Sequence, residues 1–468
     1  MIRTVNLVRM KGRQIMKLTK KVMSVVLMLS ILLTAVSPVW ADEAAYSSWA
    51  IQVLNEGEKY GIYPMEWYTE GFLGTIDAAH LSTLLDNVDQ KLDVIADKSD
   101  FKGGVAAEGT TRGAVLANYY NLLGEYGLVT EGEWTAFLHE NGIVNGTGSG
   151  LKLDAECTLE QAVIFGINTV GYAYEKLEQG GKGVFWKVEN GDTTVYLLGS
   201  IHVGSSDQYP LNTEVKSAFE AADALMVEAD LLNPFGGLDY FRSKAFYTDG
   251  TTLKDHIDAD LYSEIEKVFE QYVLDAAIYG TLKPWALANE LSVLSMTSTD
   301  ASEEGTTESA GGANYGIDLY FTINAYLTGK PVVELEGVAY QTDLFDGLSE
   351  EFQSSYLGAI VDGILNPAEA GETDSSDLLQ EWLTLWIDGD IDGFTESFNQ
   401  ATTGESNELS DMLFGQRDLD MATKVMEILN SNEKATYFVV VGAGHFINPE
   451  NMIKVLESNG FTVERVFE

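Results

Sequence analysis

Residues 184–204 read VFWKVENGDTTVYLLGSIHVG, and this stretch decides the fold. Val184 to Val188 is strand-like, Asn190-Gly191-Asp192 is turn chemistry, and Thr194 to Leu198 is a second strand, so the segment predicts a β-hairpin. Val195-Tyr196-Leu197-Leu198 is apolar throughout, as a strand covered on both faces must be. It runs into Gly199-Ser200-Ile201-His202. Short apolar runs recur downstream at Ala224 to Val227, Pro331 to Leu335, Tyr437 to Val441 and Phe461 to Val466. Helical stretches such as Leu261 to Tyr279 and Leu413 to Leu429 lie between them. Strands alternating with helices predict an α/β domain over residues 181–468, with a mixed central sheet flanked by helices.

Upstream the texture differs. Glu178-Gln179-Gly180-Gly181-Lys182-Gly183 has the composition of a linker. Residues 42–178 before it are expected to be mostly α-helical, because apolar residues recur at helical spacing in Trp49 to Leu54, Ile76 to Ile95, Ala114 to Leu123 and Leu159 to Leu177. A loose repeat is visible, "KYGIY" after Trp49 and "ENGIVNG" after Trp134, each followed by a loop and a second helix. This pattern resembles S-layer homology repeats, most clearly in FLHENGIVNGTGSGLKLDAECTLEQAVIFGINTV, with Thr158 as helix cap. The resemblance implies a cell-wall polymer as a partner. The basic helix start of such repeats survives partly at Thr111-Arg112 and is missing at Thr158-Leu159-Glu160-Gln161, so a helical accessory domain without a ligand is the alternative.

Residues 1–41 read as a secretory signal peptide. Lys17, Lys20 and Lys21 precede the apolar run Val22 to Val36, and Val39-Trp40-Ala41 offers a cleavage site. The run is short for a membrane span, Met16 is an alternative start, and the expected location is secreted or cell-surface. Two polar connections, Thr297 to Gly312 and Asn366 to Asp377, are expected as surface loops.

The chain carries 28 Lys+Arg against 72 Asp+Glu, a formal charge of −44. Positions 1–41 hold basic residues and no carboxylate, so the remainder is more acidic still. Such a surface repels phosphate backbones and argues against nucleic-acid binding. Its simplest role is solubility outside the cell, with weak cation binding as the alternative. Hydrophobic residues at 45% suffice for real cores. One cysteine, Cys157, excludes an intramolecular disulfide and is expected in a core.

Chemistry-bearing residues follow the predicted strands. His202 follows Thr194 to Leu198, Glu228 follows Ala224 to Val227 (with Asp230 beyond it), Glu334 and Glu336 follow Val332-Val333, and His445 follows Tyr437 to Val441 in Gly442-Ala443-Gly444-His445. Open α/β sheets bind ligands at the carboxyl ends of their strands, so these groups are expected to converge. Neutral imidazoles ligate divalent metals, and a carboxylate completes the shell or serves as a base. Gly199 and Gly442, each three residues before a histidine, are expected to let the chain turn sharply. Of five histidines, His80, His139 and His256 are expected at the surface, and hydrogen-bonded structural roles remain the alternative for His202 and His445.

Residues 183–468 resemble the TraB/GumN family, which includes the Tiki proteases. The resemblance rests on VYLLGSIHVG, ALMVEAD, LKPWAL, GIDLYF, KPVVELEG, RDLDM and VVVGAGHFINPENMIKVLESNGFTVERV, in that order. It implies a metal-dependent peptidase in which His202, His445 and Glu228 hold a divalent ion (manganese, cobalt or zinc). It also implies catalytic roles for Glu228 and Arg417, the latter by polarising a carbonyl or orienting a carboxylate, with a surface ion pair as the bland alternative. Asp318 and Glu336 would support these groups from behind, with a cap for a helix over Leu319 to Leu327 as the alternative for Asp318. A peptide or protein would be the substrate; a protein that sequesters a peptide signal, or a surface scaffold, is the competing reading. Asp388-Gly389-Asp390-Ile391-Asp392-Gly393 matches half of a calcium-binding loop, but Asn399 stands where a bidentate glutamate is needed.

Overall fold

A computed structural model describes residues 45–467 except 147–149, 231, 234–235, 298–311, 367–375, 403–407 and 432. The expected signal segment and most of both polar connections lie outside the described residues.

Residues before the hairpin form helices, among them Ile51–Tyr60, Ala78–Asp93, Arg112–Glu125, Trp134–Glu140 and Leu159–Lys176. The caps are local: Asp77, Thr111 and Thr158 each accept a backbone N–H from the first turn of the helix they open. Cys157 is fully buried, as expected. Arg112, the basic residue of the repeat-like Thr-Arg pair, turns inward. Its guanidinium donates to Leu151 O, Asn145 O and Gln161 Oε1. The Glu178–Gly183 stretch is no loose tether. Gly181 N donates to Pro210 O, Lys182 N to Ile387 O and Gly183 N to Trp386 O, which fixes this segment against the α/β part.

The α/β part is built on six strands: β1 (Val184–Asn190), β2 (Thr193–Ser200), β3 (Ala224–Val227), β4 (Val332–Glu334), β5 (Thr436–Gly442) and β6 (Val463–Arg465). They lie in the order β4-β3-β5-β2-β1-β6. The pairs β4/β3, β3/β5 and β5/β2 are parallel, whereas β2/β1 and β1/β6 are antiparallel, so the sheet is mixed. The central strands β3 and β5 read as apolar runs because helices cover them. Phe219 of helix Thr213–Ala221 and Phe321 of helix Ile317–Thr328 meet Phe438 of β5, with ring centroids 5.6 and 4.8 Å away. Helix Gln416–Leu429 lies against β2.

Two helix expectations need correction. The stretch Leu413 to Leu429 is interrupted at Gly415, with φ +71, and its helix runs Gln416–Leu429. The stretch Leu261 to Tyr279 is two helices, Ala259–Gln271 and Ala276–Tyr279, separated by Val273 at φ +56 and reopened by the Asp275 cap. Asp275 was the available signal, masked by the apolar spacing around it. The acidic loop at 388–393 is a helix start: Asp390 accepts Gly393 N–H, and Asp392 pairs with Arg465 at 2.6 Å.

Candidate functional site

Four neighbouring parallel strands end on one edge, and each delivers a polar group there. In β2 and β5, Ser200 pairs with Gly442, so His202 and His445 leave adjacent strands two and three residues past the same register point. Val227 pairs with Val440, which sets Glu228 one strand further along. Glu336 N donates to Glu228 O, continuing the edge beyond β4. The register thus puts these positions at the carboxyl ends of neighbouring strands, where open α/β sheets bind ligands.

His445 is fully buried, and its Nδ1 is 2.6 Å from Asp418 Oδ1. Asp418 is held in turn by Asn448 Nδ2 at 2.9 Å and Gly415 N at 3.3 Å. The other ring atom, His445 Nε2, is buried without a hydrogen-bond partner and lies 3.6 Å from Glu228 Oε1. Glu228 Oε1 accepts Gly442 N–H at 2.7 Å, and Oε2 accepts from Gln341 Nε2 at 3.0 Å and Arg417 at 2.9 Å. Burial opposes the charge on Glu228, but the His445, Arg417 and His202 side chains outweigh it and hold the carboxyl down to about 2.

Arg417 is 3% exposed, so the surface ion pair weighed from sequence is excluded. Its Nε and one terminal nitrogen make a two-pronged bond to Glu336, both at 2.7 Å, and the other terminal nitrogen donates to Leu413 O. Burial alone would weaken this cation; Glu336 and Glu228 raise its pKa instead, so it stays charged. With all three nitrogens engaged, Arg417 orients carboxylates.

His202 is 8% exposed, and its Nδ1 lies 2.8 Å from Asp318 Oδ1. Asp318 Oδ1 makes no hydrogen bond by angle, so the contact is one of charge. Burial disfavours the imidazolium, yet Asp318 raises the His202 pKa above its usual value. Asp230 and Glu334 are turned to other work: Asp230 accepts Tyr326 O–H, and Glu334 accepts Asp230 N–H. His80, His139 and His256 lie outside the cluster; His80 pairs with Glu70 and Asp77, and His256 stacks on Tyr247.

The glycines serve differently than expected. Neither Gly199 nor Gly442 has a positive φ. A Cβ on Gly199 would come 2.3 Å from Val184 Cγ2 and 2.8 Å from Ala443 Cα, so this glycine permits close packing. Gly442 offers its N–H to Glu228. Gln341 and Asn448, which complete the network, were not singled out from sequence. They come from helix Val338–Asp346 and the turn after His445, with no local signature.

The donors fit a divalent ion in kind. Both imidazoles have a carboxylate at Nδ1, which leaves Nε2 as ligand, the usual arrangement behind metal-bound histidines. Glu228 Oε1 keeps a lone pair beyond its bond to Gly442. Among the described residues, no three His, Cys, Asp or Glu side chains gather closely enough to enclose an ion.

Residues 184–465 match the model of the TraB/PrgY/gumN family, and the chain belongs to that family. Over 271 residues it is 27% identical to the uncharacterized protein YbaP of Escherichia coli (strain K12), covering 57% of this chain and 89% of that protein. The metalloprotease TIKI2 of Danio rerio is 22% identical over 312 residues, 58% of each chain. A metalloprotease TIKI homolog from Amphimedon queenslandica is 21% identical over 322 residues, 60% of this chain and 61% of that one. No solved structure gives a significant match. No helix among the described residues is long and apolar enough to cross a membrane.

Proposed function

We propose that this chain is an exported metal-dependent hydrolase, a peptidase acting on peptides or proteins outside the cell, with His202 and His445 as ligands of a divalent ion. One observation carries the reading. Two imidazoles from adjacent parallel strands each have a carboxylate at Nδ1, and His445 Nε2 is buried and unbonded, 3.6 Å from Glu228 Oε1. The metalloprotease names of the Tiki relatives support the reaction class, and the basic-then-apolar stretch at 17–36 supports export.

A divalent ion held here supplies Lewis-acid polarisation of a carbonyl. The chain's own groups set the stage. Asp418 keeps the proton of the His445 ring on Nδ1 and fixes that ring's orientation, while the Asp318 carboxylate sets a negative charge beside Nδ1 of His202. Glu228, held down to about 2, is ionised throughout the neutral range and is a weak proton acceptor, so it acts as ligand and fixed negative charge. Arg417 and Glu336 keep that charge in place from the buried side.

The test uses the full chain, stripped by chelator and reloaded with manganese, cobalt or zinc. Metal content and cleavage of unstructured peptides by mass spectrometry are read for wild type, His202→Ala and His445→Ala. Wild type is expected to retain metal and cut peptide, and both variants to lose both. Peptide recovered bound and uncut would make the chain a sequestering protein. Equal metal content and equal cleavage in His202→Ala would end the proposal.

A further inference from the structure

His202 stands beyond the last ladder bond of β2, in a loop running to Tyr209, and Asp318 opens the helix that follows Gly312–Gly316. The two loops are stitched together. Gly204 and Gly312 exchange N–H···O bonds of 3.1 and 2.8 Å, Ile317 N donates to Ile201 O at 3.1 Å, and Tyr209 O–H donates to Tyr315 O at 2.9 Å. The helical region grips this unit at both ends. Lys91 of helix Ala78–Asp93 donates to Ser206 O at 2.6 Å. Lys59 of helix Ile51–Tyr60 donates to Asn314 O at 2.7 Å and lies 5.7 Å from the Tyr315 ring centroid. Between them, Tyr320 O–H donates to Glu56 Oε2 at 2.6 Å, which ties in the helix carrying Asp318.

Both lysines are almost wholly buried, at 3% and 8% exposure. Burying an ammonium is costly unless its donors are used, and a methionine would fill the same space without that cost. Burial draws the Lys91 pKa down to about 8 against the opposing charge of Asp207. Lys59 also pairs with Glu58 at 3.3 Å, and each amino group in addition directs a hydrogen bond to a loop carbonyl, which packing alone does not require.

We propose that Lys59 and Lys91 are positioning residues for the His202–Asp318 pair, which makes the helical region a working part of the site. The role rests on reading His202 as a site residue.

The test is hydrogen–deuterium exchange on the full chain without metal or substrate. It compares wild type, Lys91→Met, Lys59→Met and the control Lys98→Met, whose exposed ammonium pairs with Asp89 away from these loops. Amides in 201–209 and 312–317 are expected to exchange about tenfold faster in either loop variant, as the loss of a charge-assisted hydrogen bond implies, while β5 and the control stay unchanged. In peptide cleavage, kcat is expected to fall about tenfold with KM nearly constant, and Lys91→Arg to recover much of it. Unchanged loop exchange in folded Lys91→Met and Lys59→Met overturns the proposal, as does faster exchange with kcat intact. Should Lys91→Met fail to fold, Lys59→Met alone decides. If wild type cuts no peptide, the hydrolase reading fails and the exchange result still decides this one; unchanged exchange leaves the hydrolase reading standing.

Discussion

The two halves of the site share a local plan and differ in what holds them. Each has Gly-x-x-His after a buried parallel strand and a carboxylate at Nδ1. The His445 half is enclosed: Asp418 is held by two donors, and Glu228, Arg417, Glu336 and Gln341 form a closed network between the strand ends and two helices, Val338–Asp346 and Gln416–Leu429. The His202 half stands on two loops that lean on helices from another part of the chain. The same sequence device is thus held by a buried charged network in one half and by loop contacts to the helical region in the other.

Breaking the enclosed half should cost most. Arg417→Met leaves Glu228 and Glu336 buried without their counter-charge, and urea unfolding should show a loss of about 3–5 kcal/mol. A loss under about 1 kcal/mol would mean that this half is no more tightly built than the other. Asp418→Asn keeps the shape but removes the charged acceptor shared by His445 and Asn448, with an expected cost of about 1–3 kcal/mol in the same measurement.

Acid should dissect the enclosed half without mutation. Glu228 is depressed from 4.5 to about 2, so the folded state binds its proton less readily than the unfolded chain does. Its stabilisation is fully present above about 4.5 and is lost as pH falls towards about 2. Urea midpoints across that window should fall more steeply in wild type than in Glu228→Gln; parallel curves would contradict the depressed value. The smallest effect is expected at the His202 half. Asp318→Asn should cost about 0.5–1.5 kcal/mol, since the contact lies off the hydrogen-bond direction. Asp318 raises the His202 pKa, so that loss should be present below the ordinary 6.5 and fade as pH rises through the raised value.

Much of this could be read from residue patterns. The strands were visible because a strand covered on both faces must be continuously apolar, as at Leu225–Val227 and Phe438–Val441. His202, Glu228, Glu336 and His445 stood out as polar residues directly after such runs. Arg417 was visible as a residue but not as a buried one, since a helix of mixed polarity gives no sign of which charge faces inward. The break after Gln271 was hidden because apolar spacing continues on both sides of Val273.

By itself, the sequence determined the alternation of strands and helices, the caps at Thr111 and Thr158, and which residues end each strand, because propensity, periodicity and capping act within a few residues. That β2 and β5 are neighbours, that Arg417 spans Glu228 and Glu336, and that Lys59 and Lys91 reach the loops around His202 follows from the folded chain alone. Those pairings join residues up to 255 positions apart. They are set by how buried charges find partners when the helices and the sheet close on one another, and no local pattern encodes that.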